Sequence, residues 1–127
     1  MGADDRRRAR VLMRRGDIHL VDLNPARGSE ANKRRPAIIV SNDGANATAR
    51  RLGRGVITVI PVTSNVERVY PFQVLLSAAE TGLERNSKAQ AEQIRSVAVE
   101  RVGVRLGVVP AALMLELEEA QRLHLGM

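Results

Sequence analysis

The sequence predicts a mainly β fold with some α: a small barrel of short strands with one C-terminal helix. Three observations carry this. Short β-branched and apolar runs recur between glycine, proline and asparagine, with little helical periodicity between them. The run Ala37-Ile38-Ile39-Val40 has no polar face, as expected of a strand lying centrally. After Pro110 the apolar spacing changes to that of a helix.

Taken in order, strands are expected over 17–23 and 36–41. Asn42-Asp43-Gly44-Ala45-Asn46 reads as a turn followed by one helical turn. Gly53-Arg54-Gly55 leads into Val56-Ile57-Thr58-Val59-Ile60-Pro61-Val62, another buried strand. Pro61 cannot donate to a ladder, so that end belongs at an edge or bulge. Residues 72–76 form a fourth strand with Phe72, Val74 and Leu76 on one side, and 87–90, 93–99 and 103–109 supply shorter ones. The helix runs from Pro110 to about Leu123, with proline in its first turn and Gly126 just past its end. Leu113, Met114, Leu117, Ala120 and His124 share the docking face, while Glu116, Glu119 and Arg122 lie opposite.

At 127 residues the chain is one domain, and 44% hydrophobic content suits a globular protein. No apolar run approaches the roughly 20 residues that span a bilayer, and the charged N-terminus is unlike a secretory leader, so the expected location is cytoplasmic. Without cysteine there is no disulfide and no thiolate zinc site. Residues 1–13 read as a basic arm, either mobile or a leader before a start at Met13, and 14–127 as the folded domain. Charge is uneven along the chain. Residues 26–54 hold seven Lys and Arg against Glu30 and Asp43, whereas residues 110–127 are net acidic. A basic patch of this kind fits a phosphate-binding surface, or else a solvated charged face.

Several chemistries are excluded by motif. There is no P-loop, no dinucleotide glycine motif and no HExxH, so neither a cofactor nor a metal is expected. The two histidines, His19 and His124, would have to share one cleft to work as a pair; His124 reads instead as a packing residue, and His19 borders the basic loop. Aromatic residues make up only 2% of the chain, which disfavours sheet-stacking RNA modules. What remains is an arginine-and-hydroxyl site. Arg27, Lys33, Arg34 and Arg35 lie between two strands, where guanidinium forks can hold a phosphate with paired charge-assisted bonds. Thr63 or Ser64, at the end of the third strand, can add a hydroxyl, and Glu30 is the nearest carboxylate base. Such a set suits cleavage of RNA by its own 2′-hydroxyl, which requires alignment and charge stabilisation.

Four separated segments carry a resemblance. They are Arg15-Gly16-Asp17-Ile18 with Val21-Asp22-Leu23 and Pro25; Gly28-Ser29-Glu30 with Arg35-Pro36-Ala37; Pro61-Val62-Thr63-Ser64 with Tyr70-Pro71-Phe72; and Glu92-Gln93-Ile94-Arg95-Ser96. In this order, over residues 13–125, they resemble the MazF/PemK toxins. The resemblance implies an SH3-like barrel of the CcdB/MazF/PemK kind, acting as a homodimer on single-stranded RNA without metal. It implies a cognate MazE-like antitoxin whose acidic segment covers the RNA groove. Carried over by motif, Arg35 and Thr63 are the catalytic pair. Glu30, Gln93 and Arg95 shape the site or contact RNA; alternatively Glu30 and Arg95 form an ion pair and Gln93 satisfies backbone groups. Arg27 and Arg34 steer the RNA backbone, with Ser29, Ser64 and His19 as supporting candidates. The rival readings are a non-enzymatic gyrase poison on the same barrel and a non-catalytic basic RNA-binding module.

Overall fold

The computed structural model describes residues 12–24 and 34–127. Seven strands, β1 (Asp17–Asp22), β2 (Arg34–Ile39), β3 (Val56–Thr63), β4 (Gln73–Leu76), β5 (Ser87–Gln90), β6 (Arg95–Ala98) and β7 (Val102–Val108), form one sheet. Helices α1 (Asp43–Leu52), α2 (Ala78–Thr81) and α3 (Ala111–Leu125) pack around it. The path runs β4-β5-β3-β2-β1-β7, with β6 also pairing β3, and every described ladder is antiparallel. The mainly β class with a C-terminal helix is the one expected. Closure stops short of a full ladder: the turn after β4, at Thr81 and Gly82, abuts β7 at Gly107. Among the described residues no helix is long and apolar enough to cross a membrane.

β2 lies centrally because both of its faces are covered. Ile38 points into one core cluster with Ile18, Ile60 and Leu117, while Ala37 and Ile39 point into a second with Val21, Val59 and Ala49. α3 closes the first cluster with Leu113, Met114, Leu117 and Ala120, the expected face. His124, expected on that face, is exposed near the helix end, 6.2 Å from the Phe72 ring. Met13, placed with the N-terminal arm in the sequence reading, is buried in the second cluster.

Two local expectations change. The segment after β2 is a ten-residue helix, not a turn with one helical turn. Asn42 caps it by accepting from the Ala45 N–H at 2.8 Å, and Gly53 ends it in the left-handed region. Over 93–99, the expected strand is a 3₁₀ turn at Ala91–Gln93 and then the four residues of β6. Pro61 behaves as its chemistry demands. Val59 is the last β3 residue paired with β6 and Val62 the first paired with β5, so the proline occupies the changeover between neighbours.

Gly107 is required by close approach. A Cβ built there would stand 2.3 Å from the Thr81 carbonyl oxygen, a backbone atom that cannot swing aside. Gly107→Ala is therefore expected to destabilise the protein by about 1–3 kcal/mol, as overpacking does, seen as a lower urea midpoint. A variant as stable as the parent would show that the 78–87 segment is not clamped to β7.

Candidate active site

The β2–β3 ladder assembles the site. Ala37 pairs Pro61, Ile38 pairs Ile60 and Ile39 pairs Val59. Arg35 and Thr63 each lie two residues past the end of this ladder at Ala37 and Pro61, near the ends of two strands rooted in the core. Both line one cavity of about 650 Å³, together with Pro36, Val62 and Ser64. The rest of the lining comes from Gly82–Arg85, Ser87, Arg105 and Leu106.

Arg35 is half-buried and pairs Val21 of β1, which holds its backbone on that side. Thr63 is half-buried and pairs Lys88 of β5. Its Oγ1 accepts from the Asn65 N–H at 3.2 Å, turning the chain away from the sheet just after the hydroxyl. Lys88 is itself buried, and its ammonium donates to the Arg68 carbonyl, tethering the 64–72 loop. The lining carries the guanidinium groups of Arg35, Arg85 and Arg105 against one carboxylate, Glu84. An anionic ligand suits this balance. Among the described residues, no three His, Cys, Asp or Glu side chains are placed to hold a metal ion together.

The other expected residues divide by location. Ser64 is on the lip of the cavity. Arg34 is exposed and lines a separate, smaller cavity with Asp22 and Arg101. Arg95 is half-buried, its guanidinium donating to the Leu23 carbonyl at 3.3 Å, and it does not line the main cavity. Gln93 is half-buried at the end of a 3₁₀ turn and does not line that cavity either. His19 is fully buried, so its ring does not face solvent at the groove. Arg27, Ser29 and Glu30 lie outside the described residues. Tyr70 is exposed and stacks on Phe72, with ring centroids 5.4 Å apart.

Arg85 and Arg105 are lining residues that sequence reasoning did not single out. Neither sits in the basic 26–54 stretch, and only the path of the sheet brings them to Arg35.

Comparison with known proteins agrees with this geometry. The profile of the family described as "PemK-like, MazF-like toxin of type II toxin-antitoxin system" matches residues 14–125. The chain is 66% identical over 116 residues to endoribonuclease MazF9 of Mycobacterium tuberculosis, covering 91% of this chain and 98% of that protein. The fold superposes on MazF from Deinococcus radiodurans with a TM-score of 0.72 at 28% identity, covering 92% of this chain and 98% of that one. A MazE–MazF structure from the same organism superposes with a TM-score of 0.65 at 26% identity, covering 92% and 97%. With the family matched over nearly its whole length and the strand-end cavity in place, this chain belongs to the PemK-like, MazF-like toxins of type II toxin–antitoxin systems.

Proposed function

We propose that this toxin cuts single-stranded RNA in the Arg35/Thr63 cavity, using the substrate's own 2′-hydroxyl as nucleophile. The protein is an endoribonuclease, the activity named for its 66%-identical relative. In the reaction the 2′-oxygen bonds to the adjacent phosphorus, the bond from phosphorus to the 5′-oxygen breaks, and the products end in a 2′,3′-cyclic phosphate and a 5′-hydroxyl. The 2′-hydroxyl gives its proton to a base, and the departing 5′-oxygen takes one up. No external nucleophile is consumed, so the protein's tasks are alignment and stabilisation of the crowded, doubly charged phosphorane.

The observation that supports this reading is that Arg35 and Thr63, each two residues past the Ala37–Pro61 pair on neighbouring strands, line one cavity. The Arg35 fork grips two non-bridging oxygens of the scissile phosphate and strengthens its hold as their charge grows. A guanidinium stays charged throughout, so its role is electrostatic rather than proton transfer. The Thr63 hydroxyl donates a further bond to the same phosphate, with Ser64 beside it. Glu30 is the proposed base, and Arg95 supports the chain leading into its segment through the Leu23 carbonyl. Gln93 helps to shape the site, and Arg27 and Arg34 guide the RNA backbone.

The toxin works in the cytoplasm as a homodimer and is neutralised by a MazE-like antitoxin. An acidic, flexible antitoxin segment complements the cationic cavity and competes with RNA for it.

Purified protein incubated with long single-stranded RNA in excess EDTA is expected to release fragments with 5′-hydroxyl and cyclic-phosphate or 3′-phosphate ends. Intact RNA, or fragments with 5′-phosphate ends, would overturn the mechanism.

A further inference from the structure

Arg105 owes its position in the cavity to two irregularities in β7. Ile18 faces Gly107 and His19 faces Arg105, so one step along β1 spans two along β7. From His19 to Val21, two steps on β1 span the three from Arg105 to Val102. One extra residue on each side of Arg105 re-aims the strand, as bulges beside binding sites do. Arg105 and Leu106, neighbours that a regular strand would point to opposite faces, consequently both line the cavity.

Beneath Arg105 lies a buried polar base. Asp17 is 6% exposed, and its Oδ1 stands 3.4 Å from the Arg105 Nε. The other oxygen accepts from the Arg14 backbone N–H at 3.1 Å. The fully buried His19 donates from Nδ1 to the Gly103 carbonyl at 2.9 Å, tying β7 to β1 two residues before Arg105. Its Nε2 lies 4.0 Å from Asp17 and makes no hydrogen bond. The carboxylate faces the Nε of Arg105, on a side chain that is 53% exposed. A guanidinium held this way loses little freedom when it meets an anion.

We propose that Arg105 binds a second backbone phosphate of single-stranded RNA, next to the scissile one, with Asp17 as the residue that positions it. The inference rests on the RNA-cleavage reading above and adds a subsite to the same cavity. The contact is with the backbone, so it sets register and affinity without reading sequence. A purely structural Asp17–Arg105 pair would tie β1 to β7 and leave RNA binding untouched.

The test is binding of a mixed-sequence 2′-O-methyl oligonucleotide, which lacks the nucleophile and cannot be cut. Fluorescence anisotropy across a series of salt concentrations reads both affinity and its salt dependence. Arg105→Ala is expected to weaken binding about tenfold at low salt. It should also shrink the slope of log affinity against log salt by about 0.7, the value for one phosphate contact on a single strand. Arg105→Lys restores the slope with incomplete affinity, because a point charge lacks the fork. Asp17→Asn keeps the slope and loses affinity, since the guanidinium is present but no longer held.

An Arg105→Ala slope equal to the parent's overturns the proposal, whatever happens to its melting temperature, and so does a parent protein that fails to bind. If the parent binds with the expected Arg105 dependence yet leaves unmodified RNA intact in EDTA, the cleavage mechanism falls and the phosphate contact stands. If the parent cuts RNA and Arg105→Ala binds like the parent, the reverse holds.

Discussion

Arg35→Ala is expected to lower kcat on long single-stranded RNA by about 10²–10³-fold, about 2.7–4 kcal/mol of activation free energy, as deleting one preorganised oxyanion donor does. The loss should fall on kcat more than on KM. Arg85 and Arg105 still line the cavity and attract the backbone, while the fork that tightens as the phosphorane forms is gone. Arg35→Lys should recover only part of the rate, because the ammonium supplies charge without two parallel bonds. Thr63→Ala removes a neutral hydroxyl, so its effect should be smaller: such a bond contributes about 0.5–1.5 kcal/mol, roughly half of a charge-assisted one. Part of that loss would come from the Asn65 N–H, which Thr63 now satisfies. Single-turnover cleavage measures the chemical step directly. Arg35→Ala protein that is fully folded by circular dichroism and cuts at the parental rate would remove Arg35 from the mechanism.

The strand ends that carry Arg35 and Thr63 were legible because each residue flanks a segment whose apolar run reads as a buried strand, while their proposed catalytic role came from the motif resemblance. Arg35 precedes Pro36 and Ala37-Ile38-Ile39, and Thr63 ends Val56 to Val62. Their meeting in one cavity was not legible. Register is normally read from an alternating pattern that buries one face, and where these two strands pair, at 37–39 and 59–61, both faces are covered, so a slip leaves no trace in the sequence. α1 was read short for a related reason. Only Asn46 and Ala49 of its ten residues are buried, too few to draw an apolar stripe, and the local cues were the caps Asn42 and Gly53. His19 shows the limit for polar groups: beside a basic loop it resembles a ligand contact, whereas the fold buries it against the Gly103 carbonyl, 84 residues away. Arg105 depends on two bulges and on a carboxylate from another strand, and neither is a local property of Gly103-Val104-Arg105-Leu106-Gly107.

The support for that geometry can be measured at Ile38. It is fully buried and pairs Ile18 on one side and Ile60 on the other, with all three in the cluster that α3 closes. Arg35 lies three residues before it on β2, and Thr63 three residues after its partner Ile60 on β3, so the contact between the two strands is what would hold the proposed catalytic pair at a fixed spacing. Ile38→Ala is expected to destabilise the protein by about 2–5 kcal/mol and Ile38→Val by about 0.5–1.5 kcal/mol, from lost transfer free energy together with the cavity left behind. Against a total of about 5–15 kcal/mol for a domain of this kind, the alanine change removes a large share. Urea unfolding should show a lower midpoint at an unchanged slope, with Leu115→Ala on the exposed face of α3 as a control within about 0.5 kcal/mol of the parent. Cleavage assayed well below the unfolding midpoint should also slow in Ile38→Ala, since a site needs its groups held within about 0.5 Å of productive geometry and the β2–β3 seam would have lost its packing. An alanine variant that loses less than about 1 kcal/mol would mean that the seam is not the packed centre on which the pair depends, because full burial of an isoleucine cannot be given up at that small a loss.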